Sequence, residues 1–129
     1  MEDKKVRLIY KEYPILGQAS LDMSQVAIAV YLVDKNAYRF VHNALMKSSV
    51  RTKEAAIEIA KRAGVDGDKL RSTLKNDMAK ISRILQENSE LGKSIGINGT
   101  PGFIIGDELI PGAVDIATFK AKIAALRNK

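Results

Sequence analysis

Apolar residues along this chain follow two spacings, and the change between them divides the sequence. Within residues 5–13, Val6, Leu8 and Tyr10 occupy every second position, so their side chains would lie on one side of an extended chain. This period of two predicts a β-strand, which Pro14 ends. From Ser20 to about Gly96 the apolar residues recur every three or four positions instead, which predicts helices.

Five helices are predicted in this second stretch. Asp34–Asn36 interrupt the pattern, Thr52 can cap a helix, and Gly64 can end one. The predicted helices begin at Ser20 or Asp22, at Ala37, at Thr52, at Asp66 or Asp68, and at about Asp77. The predicted inward faces are Phe40, Val41, Ala44 and Leu45 in the second helix, Ala56, Ile59, Ala60 and Ala63 in the third, and Met78, Ile81, Leu85 and Leu91 in the fifth.

The C-terminal stretch predicts a β-hairpin and a last helix. The apolar run 103–105 and the arm 108–110 flank the turn residues Gly106 and Asp107, and Pro111-Gly112 stops the second arm. Asp115 can cap a helix whose predicted inward residues are Ile116, Phe119, Ile123 and Leu126. The order of strand, five helices, two strands and helix favours a small sheet covered by helices, in the α+β or α/β class.

Composition removes several kinds of chemistry. The 129 residues suffice for one domain, and 46% are hydrophobic. There is no cysteine, so thiol nucleophiles, disulfides and thiolate metal sites are excluded. His42 is the one histidine, and we interpret it either as a general base or as a partly exposed structural residue. We therefore predict no catalytic residue, no cofactor and no metal in this chain.

Charge and hydropathy limit the partners. The net charge of +6 is compatible with an acidic partner or with a solvated basic surface. The basic residues are scattered and are not interleaved with exposed aromatics, so no nucleic-acid partner is predicted. The apolar run 26–33 is much shorter than a membrane span, and the first residues lack the pattern of a secretory signal.

The stretch Gly96–Val114 carries a specific resemblance. Its Gly-Ile-Asn-Gly-Thr-Pro segment, the following Phe-Ile-Ile-Gly and the Leu-Ile-Pro-Gly-Ala segment resemble the C-terminal end of the DsbA-like thiol-disulfide oxidoreductases. Residues 6–17, with their Pro-Ile-Leu-Gly exit, and the aromatic helix Tyr38–Met46 resemble the family more loosely. The resemblance implies an incomplete thioredoxin-like α/β fold over 1–129, with residues 5–14 and 97–129 as its thioredoxin-like part and 20–96 as a helical insertion.

The same resemblance implies a substrate-binding loop. Thr100, Pro101 and Gly102 stand where the family has its cis-proline loop, which binds unfolded or cysteine-containing polypeptides. An ordinary trans proline before a strand is the alternative. Gly102 departs from the family pattern, in which a small β-compatible residue is usual, and a glycine there indicates a bulge or a close approach.

The absent Cys-x-x-Cys pair makes the enzyme assignment uncertain. In the family, a central strand leading to that pair lies between the strand equivalent to 5–13 and the cis-proline strand. We expect one of three compensations: movement of 5–13, a homodimer or strand-swapped oligomer, or a separate N-terminal fragment. The leading hypothesis is the inactive C-terminal part of a periplasmic or otherwise exported oxidoreductase. The alternatives are a non-redox peptide-binding module and a fragment similar to kappa-class glutathione transferases.

Overall fold

The structure, a computed structural model, describes residues 5–112 and 114–128. Six α-helices, one 3-10 turn and two strands follow one another along these residues. They are α1 (Gln18–Val33), the 3-10 turn Lys35–Ala37, α2 (Tyr38–Lys47), α3 (Lys53–Arg62), α4 (Gly67–Asn76), α5 (Met78–Ser94), β1 (Gly102–Ile105), β2 (Glu108–Pro111) and α6 (Ile116–Arg127). The chain divides into two compact units, residues 1–89 and 90–129.

The core of the first unit is built around α1. All five consecutive residues from Val26 to Val30 are buried, so this helix is apolar around its circumference in its second half. A helix of that kind has to be surrounded by other elements, and α2, α3 and α4 all contact it. These and α5 contribute the buried side chains Val41, Ala56, Ile57, Ala60, Leu70, Ile81 and Leu85.

Several helix ends lie where the sequence predicts them. Thr52 Oγ1 accepts a hydrogen bond from the Ala55 amide at 3.2 Å, which caps α3. Gly64, with φ of 94°, ends the same helix, because its positive φ lets the amides of Gly64 and Val65 donate to carbonyls in the last turn. Asp66, one of the two predicted residues, caps α4 through the amides of Asp68 and Lys69.

The predicted start of α1 is wrong. The helix begins at Gln18, and its N-cap Gly17 lies three to five residues before the predicted caps Ser20 and Asp22. The carboxylate of Asp22 accepts a hydrogen bond from Gln18 Nε2 at 2.9 Å, one helical turn away, instead of capping a helix end. Ser20 lies in the first turn of the helix.

Three predicted inward faces also need correction. The side chain of Phe40 is 72% exposed, whereas its neighbour Val41 is fully buried, because α2 turns the Val41 side toward α1. In α3, Ile57 is buried and Ala63 is exposed, since the helix ends at Arg62 and Ala63 is only its C-cap. Leu91 in α5 is exposed.

The strand predicted over residues 5–13 is not formed. The described part of this segment belongs to no helix and to no ladder, and the one sheet of the described residues contains β1 and β2 alone. A period-two pattern favours an extended chain, but a strand also requires a partner with which to exchange backbone hydrogen bonds. The described residues provide no such partner for 5–13.

The second unit contains the predicted hairpin. β1 and β2 are antiparallel with Phe103 opposite Ile110 and Ile105 opposite Glu108. Gly106 has φ of 62° and Asp107 has a negative φ, which fits a type II′ turn with glycine at its first central position. The second strand extends one residue beyond the prediction, to Pro111.

Helix α6 also begins as predicted. The carboxylate of Asp115 accepts hydrogen bonds from the Thr118 amide at 2.9 Å and the Thr118 hydroxyl at 2.6 Å. Phe119 packs edge-on against Phe103, with ring centroids 4.7 Å apart. The predicted inward residues Ile116 and Leu126 are exposed, because Ile116 is the first residue of the helix and Leu126 is covered on one side only, by the turn at Gly106.

The neighbouring residues Val41 and Phe40 give a matched test of this packing. We expect Val41→Ala to lower the free energy of unfolding by about 2 kcal/mol, because it removes fully buried methyl groups from the core. Phe40→Ala should change it by less than about 0.5 kcal/mol despite the larger side chain. Urea unfolding followed by circular dichroism measures both values. Equal losses for the two variants would contradict the orientation of α2.

The cap of α6 predicts a pH dependence. The Thr118 hydroxyl, and secondarily the Thr118 amide, hold the pKa of Asp115 below its ordinary value of 3.8. The cap therefore stabilises α6 fully above that value, and its contribution disappears as the pH falls through the lower folded pKa. Titration of the Asp115 carboxyl carbon by NMR should show the pKa rising toward 3.8 in Thr118→Val and staying low in Thr118→Ser. An unchanged pKa in Thr118→Val would refute the assigned cause.

Candidate functional site

The loop Thr100-Pro101 leads directly into β1. Both residues are exposed, and the peptide bond between them is cis. Gly102, the third residue of the predicted substrate-binding loop, is the first residue of the strand and is partly buried. The structure therefore places the three residues together, with their backbone at the surface of the second unit.

Backbone hydrogen bonds on both sides fix this loop. The Pro101 carbonyl accepts a bond from the Gly112 amide at 2.9 Å, so the exit of β2 holds the entry of β1. Upstream, the Ile97 amide donates to the Gly92 carbonyl at 2.8 Å. The loop is thus tied to the end of β2, and the segment before it is tied to the end of α5.

Gly102 is explained by a close approach. A Cβ atom at this position would lie 2.9 Å from Cγ2 of Ile97, too close for an undistorted contact. The register continues without interruption from Gly102 opposite Pro111, so no bulge is present in β1. Of the two explanations that the sequence leaves open for this glycine, the close approach is the one observed.

One edge of β1 has no strand beside it among the described residues. Antiparallel pairs alternate between those that exchange hydrogen bonds and those that do not. Since the Gly112 amide bonds to Pro101, the alternation turns the amides of Phe103 and Ile105 toward β2. The amides of Gly102 and Ile104 then face the open edge, and the side chain of Ile104 is 51% exposed. Such an edge can pair with an added extended peptide.

A second polar cluster lies in the first unit. Oε1 of Glu12 is 2.6 Å from both the Tyr38 hydroxyl and Nδ1 of His42. The side chains of Glu12 and His42 are only 14% and 18% exposed. Burial, and secondarily the Glu12 carboxylate, raise the pKa of Tyr38 well above its ordinary value of 10.0, so its hydroxyl remains a donor. Tyr10 completes the cluster, with its ring centroid 4.9 Å from that of His42.

The sequence does not reveal this cluster. His42 is a partly exposed residue with structural contacts, in agreement with one of its two sequence interpretations. Its carboxylate partner Glu12 is 30 positions away, and no spacing rule joins residues in an extended segment to residues in a helix. The aromatic character of Tyr38–Met46 was the available signal.

Other chemistry is not found in the described part of the chain. Between residues 5 and 112 and between 114 and 128, no group of three or more His, Asp or Glu residues could hold a metal ion. Over the same residues no helix is long and apolar enough to cross a membrane. The loop 100–102 contributes backbone groups, the Thr100 hydroxyl and shape, without a thiol.

Comparison with known proteins relates both units to one family. A family model described as a DSBA-like thioredoxin domain matches residues 2–124. No curated protein matches the sequence.

Several solved structures match as well. The thiol-disulfide exchange protein alpha-DsbA2 from Wolbachia pipientis is 36% identical with a TM-score of 0.84, and the match covers 92% of this chain and 64% of that one. ScsC from Proteus mirabilis in a compact conformation is 30% identical with a TM-score of 0.80, and the match covers 99% of this chain and 69% of ScsC. A thioredoxin-like oxidoreductase from Silicibacter pomeroyi is 28% identical with a TM-score of 0.83, covering 95% and 69% respectively. This chain thus spans about two thirds of the length of its relatives.

The contact at Gly102 gives a prediction with a matched control. We expect Gly102→Ala to lower the free energy of unfolding by about 1 kcal/mol, because the new methyl group has to displace Ile97. Gly99→Ala places its methyl group in open space three residues earlier and should be neutral or slightly stabilising. Thermal unfolding of both variants measures the difference. A loss at Gly99 equal to that at Gly102 would contradict the close approach.

Proposed function

The chain belongs to the DSBA-like thioredoxin-domain family, and on that premise we propose that it supplies the thiol-free, substrate-facing part of a thiol-disulfide oxidoreductase. The observation that carries the proposal is the loop Thr100–Gly102 at the start of an open-edged strand, in a chain without cysteine. This chain alone should therefore bind polypeptide without exchanging disulfides.

The absence of a thiol from these residues leads to the second part of the proposal. Disulfide exchange begins when a thiolate attacks a disulfide sulfur, and these 129 residues contain no thiol. We infer that a Cys-x-x-Cys pair is provided by polypeptide outside these residues. The match to only 64% of the length of the Wolbachia protein supports this inference. The complete protein would work in the periplasm or another exported compartment, where disulfides persist.

Substrate binding would use the edge of β1. An extended polypeptide can donate to and accept from the backbone that faces outward at Gly102 and Ile104. The exposed Ile104 side chain offers an apolar contact beside those bonds. Because backbone groups make most of these contacts, the site would accept many sequences, which suits unfolded substrates.

The same open edge can be covered by a partner strand. An unpaired strand edge is a template for pairing, so we propose that a second copy or a separate cysteine-bearing fragment contributes a strand in the assembled protein. The strand predicted over residues 5–13 belongs to no ladder of the described residues, so the proposal takes the strand from other polypeptide.

A peptide-binding module without redox chemistry is the second candidate. The open edge and the exposed Ile104 are present although the chain has no thiol. In that case the chain would hold unfolded polypeptides as a chaperone or assembly factor does. It would gain no oxidase activity when a cysteine-bearing fragment is supplied.

The first test asks whether activity needs both parts. The chain alone should oxidise no dithiol peptide. Adding a fragment with the Cys-x-x-Cys strand and helix of a family member, in its disulfide form and with glutathione disulfide as the oxidant that regenerates it, should give turnover. The fragment alone is the control, since its own thiols react slowly with disulfides. Turnover by the chain alone would refute the thiol-free assignment. Peptide binding without restored turnover would favour the second candidate.

A second test locates the binding edge. Ile104→Pro removes an outward amide without removing a bond to β2, so we expect the affinity for an unfolded cysteine-free peptide to fall about tenfold. Leu109→Pro removes the matching outward amide on the opposite edge, at β2, and should leave the affinity unchanged. Fluorescence anisotropy measures both, with circular dichroism to verify folding. Equal losses in the two variants would contradict binding at β1.

A further inference from the structure

The extended segment 5–16 raises a physical question. Its described residues have no ladder partner, and Leu8 and Ile9 are largely exposed, so neither a sheet nor a deep core fixes the middle of the segment. Glu12, which lies in the same segment, has a side chain that is only 14% exposed. A carboxylate is rarely buried unless hydrogen bonds compensate for the lost water.

Two helices provide that compensation. From α2, the Tyr38 hydroxyl and His42 Nδ1 both lie 2.6 Å from Oε1 of Glu12. From α5, Nδ2 of Asn88 donates to the backbone carbonyl of Glu12 at 3.0 Å. Glu12 is therefore held through its side chain by one helix and through its backbone by another.

The donors in this cluster can be assigned. The raised pKa of Tyr38 keeps its hydroxyl protonated, so Tyr38 donates to Glu12. An ionised carboxylate only accepts, so Nδ1 of His42 has to carry a hydrogen as well. The neutral form of His42 is then the Nδ1–H tautomer, with the lone pair on Nε2.

Ring packing adds to the hydrogen bonds. Tyr10 and Glu12 are two positions apart and lie on the same side of an extended chain. The ring of Tyr10 packs 4.9 Å from that of His42 and 6.2 Å from that of Tyr38. Ile9 belongs to the opposite side of the segment and stays 62% exposed.

We propose that Glu12, Tyr38 and His42 form a clasp that fixes the segment 5–16 on α2 and so presents it, already ordered, to a strand of the cysteine-bearing fragment. Glu12 is the positioning residue, because its carboxylate accepts the hydrogen bonds from both Tyr38 and His42. The fixation of the segment is independent of the proposed function. The role of the clasp toward a partner strand rests on the proposed function.

The fixation can be measured on the chain alone by ¹⁵N relaxation. We expect backbone order parameters of about 0.85 at residues 9–12, falling below about 0.6 in Glu12→Ala. Glu12→Gln retains an oxygen that accepts hydrogen bonds and should restore most of the order. Glu58→Ala, which removes a half-exposed carboxylate on α3, is the matched control and should change nothing. Unchanged order in a folded Glu12→Ala would overturn the clasp.

A spectroscopic signature distinguishes a clasp from simple packing. At a pH that leaves the imidazole neutral, the ¹⁵N shifts of His42 should identify the Nδ1–H tautomer in the native chain. In Glu12→Ala, His42 should become a mixture of the Nδ1–H and Nε2–H tautomers. An Nε2–H tautomer in the native chain would overturn the proposal even if the variants prove too unstable to compare.

The role toward a partner is tested with the cysteine-bearing fragment. Glu12→Ala should weaken binding of that fragment about tenfold, because the segment has to be ordered on association. If the fragment fails to bind the native chain, the proposed function fails while the order parameters still decide the clasp. If it binds both chains equally, the clasp has no role in assembly.

Discussion

Burial of α1 is the constraint on which the helical unit depends. Residues 26–30 of this helix are apolar and buried, so they have to be covered on every side. Small residues at Ala27 and Ala29 allow neighbouring helices to approach closely, while Val26 and Val30 fill the space between them. The positions of α2, α3 and α4 follow from the need to cover this helix.

Backbone hydrogen bonding imposes the second constraint, and one edge of β1 has no partner strand among the described residues. The hairpin satisfies the opposite edge of β1, and residues 6–12 belong to no ladder of the described residues. A strand edge without a partner strand is favourable only while water or another strand reaches it. The unit that carries the loop Thr100–Gly102 thus holds that loop through its hairpin and can still accept a strand at the other edge of β1.

Most features with a local cause could be predicted from the sequence, and the start of α1 is the exception. Thr52, Gly64, Asp115 and the turn at Gly106 act on residues within one turn of themselves, so their roles follow from residue type and spacing. The predictions failed where a residue that is distant in sequence determines burial or hydrogen bonding. The burial of Val41 rather than Phe40 depends on where α1 lies, and the bond between Glu12 and His42 joins residues 30 positions apart. The open edge of β1 likewise depends on strands elsewhere, and periodicity within residues 5–13 carries no information about them.

We expect β1 to pair with a strand from other polypeptide, and amide hydrogen exchange at Ile104 measures that pairing. In the chain alone this amide should exchange nearly as fast as in an unfolded peptide, while the amide of Phe103, which faces β2, is protected. When the cysteine-bearing fragment is bound, exchange at Ile104 should slow by at least about a hundredfold, in keeping with a stable ladder bond. Protection of Ile104 in the chain alone, or continued fast exchange in an active complex, would contradict the account.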